Sequence, residues 1–322
     1  MSARDYSSIL FPPEEVARLG SQYLHFIQEN RGNGITIGIT EIDEHFYPLM
    51  MTELMSIIAR PGNGKTGLMV YMARRRAKQL REQGVTDRVV PYITLEQSIE
   101  ELNAFNLAAE SKPNVSITRM VRGELTEAEW GTIHRAAVQR QFMPLWNIGY
   151  SSMGGKKQIA VDLDAIDGAL GLIAAERKID VVFVDYLQRM PTSAETETSK
   201  AVAVSNNLDG LKNLALKYRC PVVVGVQAKR EVDDKADKVP GAADGQWTSN
   251  IEQTSDRVIT LMRPAKYFAE GEEIPGMPGK RVRGKNQLIM SIEKQKLGDV
   301  GISVWTKFQP EYNIFDTMEG NQ

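Results

Sequence analysis

The chain has 322 residues, of which 42% are hydrophobic, 25% charged and 7% aromatic. That mix suits one large globular domain or two of ordinary size, and excludes a disordered chain, a collagen-like repeat and a disulfide scaffold. There are 39 basic and 41 acidic side chains, a formal net charge of −2, so any polyanion would have to meet a local surface. The lone cysteine, Cys220, can form no internal disulfide and points to a reducing compartment. No apolar run approaches the roughly 18 residues of a membrane span, and the start, Met1-Ser2-Ala3-Arg4-Asp5-Tyr6, lacks the apolar core of a secretory signal. The expectation is a cytoplasmic α/β protein with no membrane partner.

In chain order, Pro12-Pro13-Glu14-Glu15 opens a helix with proline and acids in its first turn. Val16, Leu19, Tyr23 and Phe26 put its apolar residues on one face, and Asn30-Arg31-Gly32-Asn33-Gly34 ends it. Residues 1–32 therefore read as an arm with an amphipathic linker helix, and 33–322 as one domain. There, Leu54 to Ala59 reads as a strand, Lys65 to about Gln83 as a helix, and Val89 to Thr94 as a second strand. Helical sequence fills about 97–141, broken near Lys112-Pro113, before a third strand at Leu145 to Ile148. Helix 162–177 leads to the strand Ile179 to Val184, and helix 200–218 to the strand Pro221 to Val226. Both are nearly solid apolar runs, as in parallel strands buried on both faces. Strands near 286–293 and 301–306 flank Leu297-Gly298-Asp299 as a β-hairpin. Alternating strands and helices predict an α/β fold with a mostly parallel central sheet flanked by helices.

Ala59-Arg60-Pro61-Gly62-Asn63-Gly64-Lys65-Thr66, followed by Gly67, lies between a strand and its helix. It fits the Walker A pattern except that Ala59 replaces the first glycine. Small residues let backbone N–H groups wrap a triphosphate, the lysine meets the β/γ oxygens and the hydroxyl holds Mg²⁺. Ala59 is tolerable where its φ is negative. Arg60 to Gly67 are thus the candidate nucleotide site, for ATP with Mg²⁺. Asp185, ending a buried strand, is the candidate metal-side acid with Thr66, or else an N-cap. Glu96, after Tyr92-Ile93-Thr94-Leu95, is a candidate base, or else a solvated loop acid.

The loop 59–66, Thr94-Leu95-Glu96 and Val184-Asp185-Tyr186-Leu187-Gln188 together resemble the motor domain of DnaB-type hexameric replicative helicases. That family also accepts alanine at the start of its loop. The resemblance extends through Thr36 to Asp43, Arg122 to Trp130, Ile251-Glu252-Gln253 and Asp256, covering about 33–316. It implies a RecA-like P-loop NTPase, an ATP hydrolase that turns over at subunit interfaces to move single-stranded DNA and unwind duplex in replication. Lys65 and Thr66 would bind phosphate and Mg²⁺, Glu96 would activate water, and Asp185 would hold the metal through water. Gln227 would sense the γ-phosphate and signal to the DNA loops, although by itself it reads as an ordinary strand-end polar residue.

Lys294 and Lys296, two apart on the first hairpin strand, match a lysine and an arginine that reach a neighbour's nucleotide in the family. Lysine in the arginine position keeps the charge and loses the bidentate fork; the other reading is a solvated edge-strand pair. The family's DNA-gripping loop corresponds to Pro240 to Asn250, with Gln246 and Trp247 where the family has arginine and glutamate. Gln246, Trp247, Thr248 and Ser249 are the candidate DNA contacts; Trp247 either stacks a base or anchors its loop. The basic run Lys280 to Lys285 reads as a solvated loop or a DNA contact.

The first helix resembles the linker helix that docks on an adjacent protomer, its alternative being its own domain. The implied partners are further copies in a hexameric ring or open helix, single-stranded DNA, and a primase or loader. The family's helical N-terminal domain has no counterpart here, so either a stand-alone motor or a trimmed piece of a longer chain is expected. The alternative function is a RecA-like oligomeric ATPase that loads, assists recombination or serves defence without unwinding. Cys220 is expected in the core, the three histidines show no ligand spacing, and Arg74-Arg75-Arg76 is expected on an exposed helix face.

Overall fold

Pro13 at the first helical position and Glu14 and Glu15 in the first turn start α1 (Pro13–Glu29), as proline's missing N–H and the helix dipole favour. The computed structural model describes residues 7–29, 34–154, 158–191, 199–247 and 250–317. Backbone contacts divide the chain into two units, Met1–Ile35 and Thr36–Gln322. In the first unit no residue of α1 is buried; Val16 is 56% and Tyr23 47% exposed.

In the second unit, α2 (Thr40–Asp43) precedes β1 (Leu54–Ala59), α3 (Lys65–Glu82) and β2 (Arg88–Thr94). The predicted helical stretch is three helices, α4 (Ile99–Glu110), α5 (Ile117–Arg122) and α6 (Glu127–Arg140). Ser98 and Thr126 start α4 and α6 with reciprocal capping boxes to Glu101 and Glu129. Next come β3 (Leu145–Ile148), α7 (Leu163–Ala174), β4 (Lys178–Ile179) and β5 (Val182–Asp185). They are followed by α8 (Lys200–Tyr218), β6 (Val222–Gln227), α9 (Ile251–Thr254) and β7 (Arg257–Met262). The chain closes with β8 (Gln287–Lys294), β9 (Ile302–Gln309) and β10 (Ile314–Thr317).

The strands form one sheet in the order β10-β9-β8-β7-β1-β6-β5-β2-β3, with β4 pairing the start of β2. From β7 to β3 all neighbours are parallel, and β8 to β10 extend the sheet antiparallel. Leu54, Ile58, Val182, Val184, Val222, Val224 and Val226 pack with Ile166, Leu170, Leu208 and Leu211 of α7 and α8. The alternate strand residues turn to the opposite face, where Gly225 lies beside Met69 of α3. This is the expected mostly parallel sheet flanked by helices.

Three expectations need correction. The strand foreseen over 179–184 is two strands, because Asp180 turns inward to a buried pair with Arg76 (2.6 Å) and a second cation, Arg88 (3.2 Å). The arginine triplet is accordingly not exposed: Arg74 and Arg76 are buried and Arg75 half-buried. Arg74 donates to Asn313 O, and burial lowers its pKa to about 10. Finally, the late hairpin is flanked by β7 and β10, neither foreseen. Cys220 is in the core, where burial lifts its thiol pKa to about 12.

Candidate nucleotide site

β1 ends at Ala59, whose backbone lies outside the positive-φ region, so a Cβ is accepted where the pattern asks for glycine. The chain then turns through Gly62 (φ 74°) and Gly64 (φ 93°), left-handed positions that favour glycine. The Asn63 side chain is buried and pins the turn: its amide donates to Arg60 O (3.2 Å) and Tyr267 Oη (3.0 Å) and accepts from Arg263 N (2.8 Å). Arg60 is held by Asp233 (Nη2–Oδ2 2.6 Å) and Lys266 by Pro61 O (2.6 Å). Burial, with Arg263 and Arg60 nearby, lowers the Lys266 pKa. Leu68 N–H donates to Gly64 O (2.8 Å) as α3 begins, so the N–H groups of Lys65, Thr66 and Gly67 are left at the open helix end. Donors around a glycine turn at a helix N-terminus fit a polyphosphate.

Lys65 Nζ lies 2.6 Å from Asp185 Oδ1 and 4.1 Å from the centre of the Tyr186 ring. Tyr92 Oη donates to Asp185 Oδ2 (3.2 Å), and burial beside that carboxylate keeps the phenol protonated far above its usual range. A Cβ on Gly225 would stand 3.0 Å from Lys65 Nζ and 3.2 Å from Asp185 Oδ1, so β6 leaves a hollow beneath the pair. The Lys65 ammonium and the Asp185 carboxylate meet there, and Thr66 follows Lys65 directly on α3, groups whose chemistry suits phosphate and a hard divalent cation.

Glu96 emerges two residues past the end of β2; it is half-exposed, with Arg189 Nη2 3.7 Å from Oε1. Its carbonyl accepts from Tyr150 Oη (3.0 Å). Gln227 ends β6 in register with Ala59, so the phosphate loop, Asp185, Glu96 and Gln227 share the carboxyl edge of the parallel strands.

Lys294 and Lys296 lie elsewhere. β8 ends at Lys294, and Lys296 follows in the turn, where Gln295 Nε2 bonds His45 O and Asp299 O. Lys294 donates to Glu252 O and Ser255 O (2.7 Å), and Lys296 pairs with Asp256 (2.8 Å). Asp256 N–H bonds Leu54 O at the start of β1, which puts Lys296 about 17 Å down the strand from the level of the phosphate loop.

Gln246 N–H donates to Gln227 O (2.8 Å). Trp247 follows with φ 64° and is 39% exposed, with Lys200 Nζ 3.7 Å from its ring centre. Thr248 and Ser249 lie outside the described residues, as do residues 30–33. In the basic run, Arg281 pairs with Glu273 (3.3 Å) and Val282 is buried. Sequence reasoning missed Tyr92, Arg189, Lys266 and Gly225. Only their partners far away in sequence reveal them, although Gly225 in a valine run was a visible signal. Among the described residues no helix is long and apolar enough to cross a membrane.

The family model for the DnaB-like helicase C terminal domain matches residues 34–317. The chain is 28% identical over 286 residues to replicative DNA helicase DnaC of Bacillus subtilis (strain 168), covering 89% of this chain and 57% of that protein. It is 27% identical to replicative DNA helicase DnaB of Geobacillus stearothermophilus, with the same 89% and 57% coverage. The chain thus spans just over half the length of these relatives. One solved structure, described as an ATPase domain, superposes with TM-score 0.73 at 21% identity, covering 93% of this chain and 98% of that one. A DnaB-like replicative helicase, described with its interactions with primase, superposes with TM-score 0.72 at 21% identity, covering 92% and 66%. The fold is therefore that of DnaB-like ATPase domains, and the chain belongs to the DnaB-like helicase C-terminal domain family.

Proposed function

We propose that the chain is an ATP-hydrolysing helicase motor that works at subunit interfaces of a homo-oligomer, a hexameric ring or open helix, and translocates on single-stranded DNA. The observation that carries this reading is the Lys65–Asp185 pair over the Gly225 hollow beside a glycine turn and an open helix end. Arg60 to Gly67 cradle the phosphates, and Lys65 exchanges Asp185 for phosphate oxygen. Thr66 and, through water, Asp185 would hold Mg²⁺, which would supply positive charge beside the transferred phosphate. Glu96 takes a proton from the attacking water; the water oxygen bonds the γ-phosphorus as the bond to the β-phosphate oxygen breaks. Gln227, at the same edge, senses the γ-phosphate through its amide.

Lys294 and Lys296 stabilise charge at the adjoining copy's nucleotide. Their position at the far end of the strands, away from their own phosphate loop, supports a role in trans. The exposed apolar stripe of α1 supports docking on a neighbouring copy. The stretch Gln246 to Ser249 meets the DNA backbone, and a primase or loader is the further partner. A cytoplasmic setting is supported by the lone cysteine.

Lys65→Ala is expected to abolish ATP turnover. Glu96→Gln is expected to keep ATP binding while cutting hydrolysis by about a hundredfold or more, measured by phosphate release; near-normal turnover would remove Glu96 from that role. One observation favours the reading without unwinding: Lys200 covers Trp247, tying that aromatic to its own domain. Unwinding of a forked duplex separates the two.

A further inference from the structure

We propose that the short turn Leu187–Arg189 couples the hydrolytic edge to the Gln246–Trp247 loop, Arg189 holding Glu96 and Gln188 holding the loop. This rests on the motor reading above and specifies how the two sites of that motor communicate.

The turn follows Asp185 and Tyr186 directly, so a single short segment carries the metal-side acid, the ring against Lys65 and both coupling side chains. Gln188 is buried, and its amide has matched partners. Oε1 accepts from Gln227 N–H (3.0 Å), while Nε2 donates to Gln246 O (3.1 Å) and Gln227 O (3.4 Å). Because Gln246 N–H also donates to Gln227 O, the amide staples the end of β6 to the start of the loop. Moving Gln246 either strands a buried amide donor, which is costly, or drags the turn along.

The neighbouring side chain acts on the other site. Arg189 Nη2 is 3.7 Å from Glu96 Oε1. A half-exposed glutamate has many rotamers; a cation fixed on the short turn directly after Tyr186 narrows them toward one direction. At the loop end, Trp247 occupies a left-handed backbone that a bulky residue rarely adopts, immediately after the stapled Gln246. An oligonucleotide that shifts Trp247 therefore pulls on Gln188, and the turn passes the movement to Arg189 and Glu96. Both are positioning residues, acting through the groups they hold.

The test uses the full chain with a fluorescent ATP analogue, phosphate release, and an oligo-dT strand. Gln188→Glu keeps an acceptor for Gln227 N–H but sets oxygen against the two carbonyls. It is expected to bind the analogue and turn over ATP without DNA within about twofold of the parent, while stimulation by oligo-dT falls about fivefold or more. Stimulation equal to the parent's, with analogue binding intact, overturns the proposal. Should Gln188→Glu fail to fold, the exposed Arg189 decides: Arg189→Met is expected to lower kcat about fivefold at unchanged analogue affinity, with Arg189→Lys recovering most of it. An unchanged kcat in Arg189→Met overturns the proposal. A parent chain that hydrolyses ATP but ignores oligo-dT removes the motor reading and the coupling with it. A stimulated parent with unaffected variants removes the coupling alone.

Discussion

Gly225 shows how one missing methyl group shapes a site. Its neighbours on β6 are valines, yet a Cβ there would stand 2.9 Å from Met69 Sδ and 3.0 Å from Lys65 Nζ. A close-packed interior yields little at such distances. Gly225→Ala is expected to weaken binding of a fluorescent ATP analogue about tenfold while the far-UV spectrum stays unchanged; unaltered affinity would mean that the hollow is not used. The Lys65–Asp185 pair was legible as two candidates, one after a strand and a glycine loop and the other at the end of a buried strand. The need for Gly225 arises between strands far apart in sequence, as does the Tyr92 bond to Asp185. Glu96 was legible from its place after β2, whereas its cation, Arg189, comes from 93 residues further on by sequence number.

Elements are fixed as much by buried charges as by apolar runs. β7 was not foreseen because charge surrounds its short apolar core: it opens on Arg257, buried against Glu53 (2.9 Å), just after Asp256. The same kind of contact split 179–184, where Asp180 points inward. Asp256 ties the starts of β1 and β7 together, accepting from Leu54 N–H (2.7 Å) and Lys212 (2.6 Å). Burial alone would raise its pKa, but Lys212, Lys296 and the Leu54 N–H outweigh it and hold the carboxyl below its usual range. Its stabilisation is therefore present above the unfolded-state pKa and fades as pH falls through the lowered folded value. Asp256→Asn is expected to cost about 1–3 kcal/mol at pH 7 by urea unfolding, with the gap to the parent closing below about pH 4. A gap that stays constant with pH would show that the charge contributes nothing.

On the scale of the whole molecule, the sheet separates two kinds of chemistry. The phosphate loop, Asp185, Glu96 and Gln227 gather at the carboxyl edge of the parallel strands, while Lys294 and Lys296 sit toward the other end, bound to the α9 region and Asp256. A single copy does not bring these groups together; the head-to-tail assembly proposed above is what would supply the lysines from an adjoining copy. The sheet and its flanking helices were readable from alternating apolar runs. The position of the lysines was not, because it depends on β7, β8 and the turn at Gln295. The most direct test of a site shared between copies mixes two variants, Lys65→Ala and Lys294→Ala, each with greatly reduced ATP turnover alone. Co-assembled, the intact phosphate loop of one meets the intact lysine of the other, and phosphate release is expected to recover several-fold above the mean of the separate variants. A mixture no faster than that mean, or a Lys294→Ala chain as fast as the parent, would contradict the account.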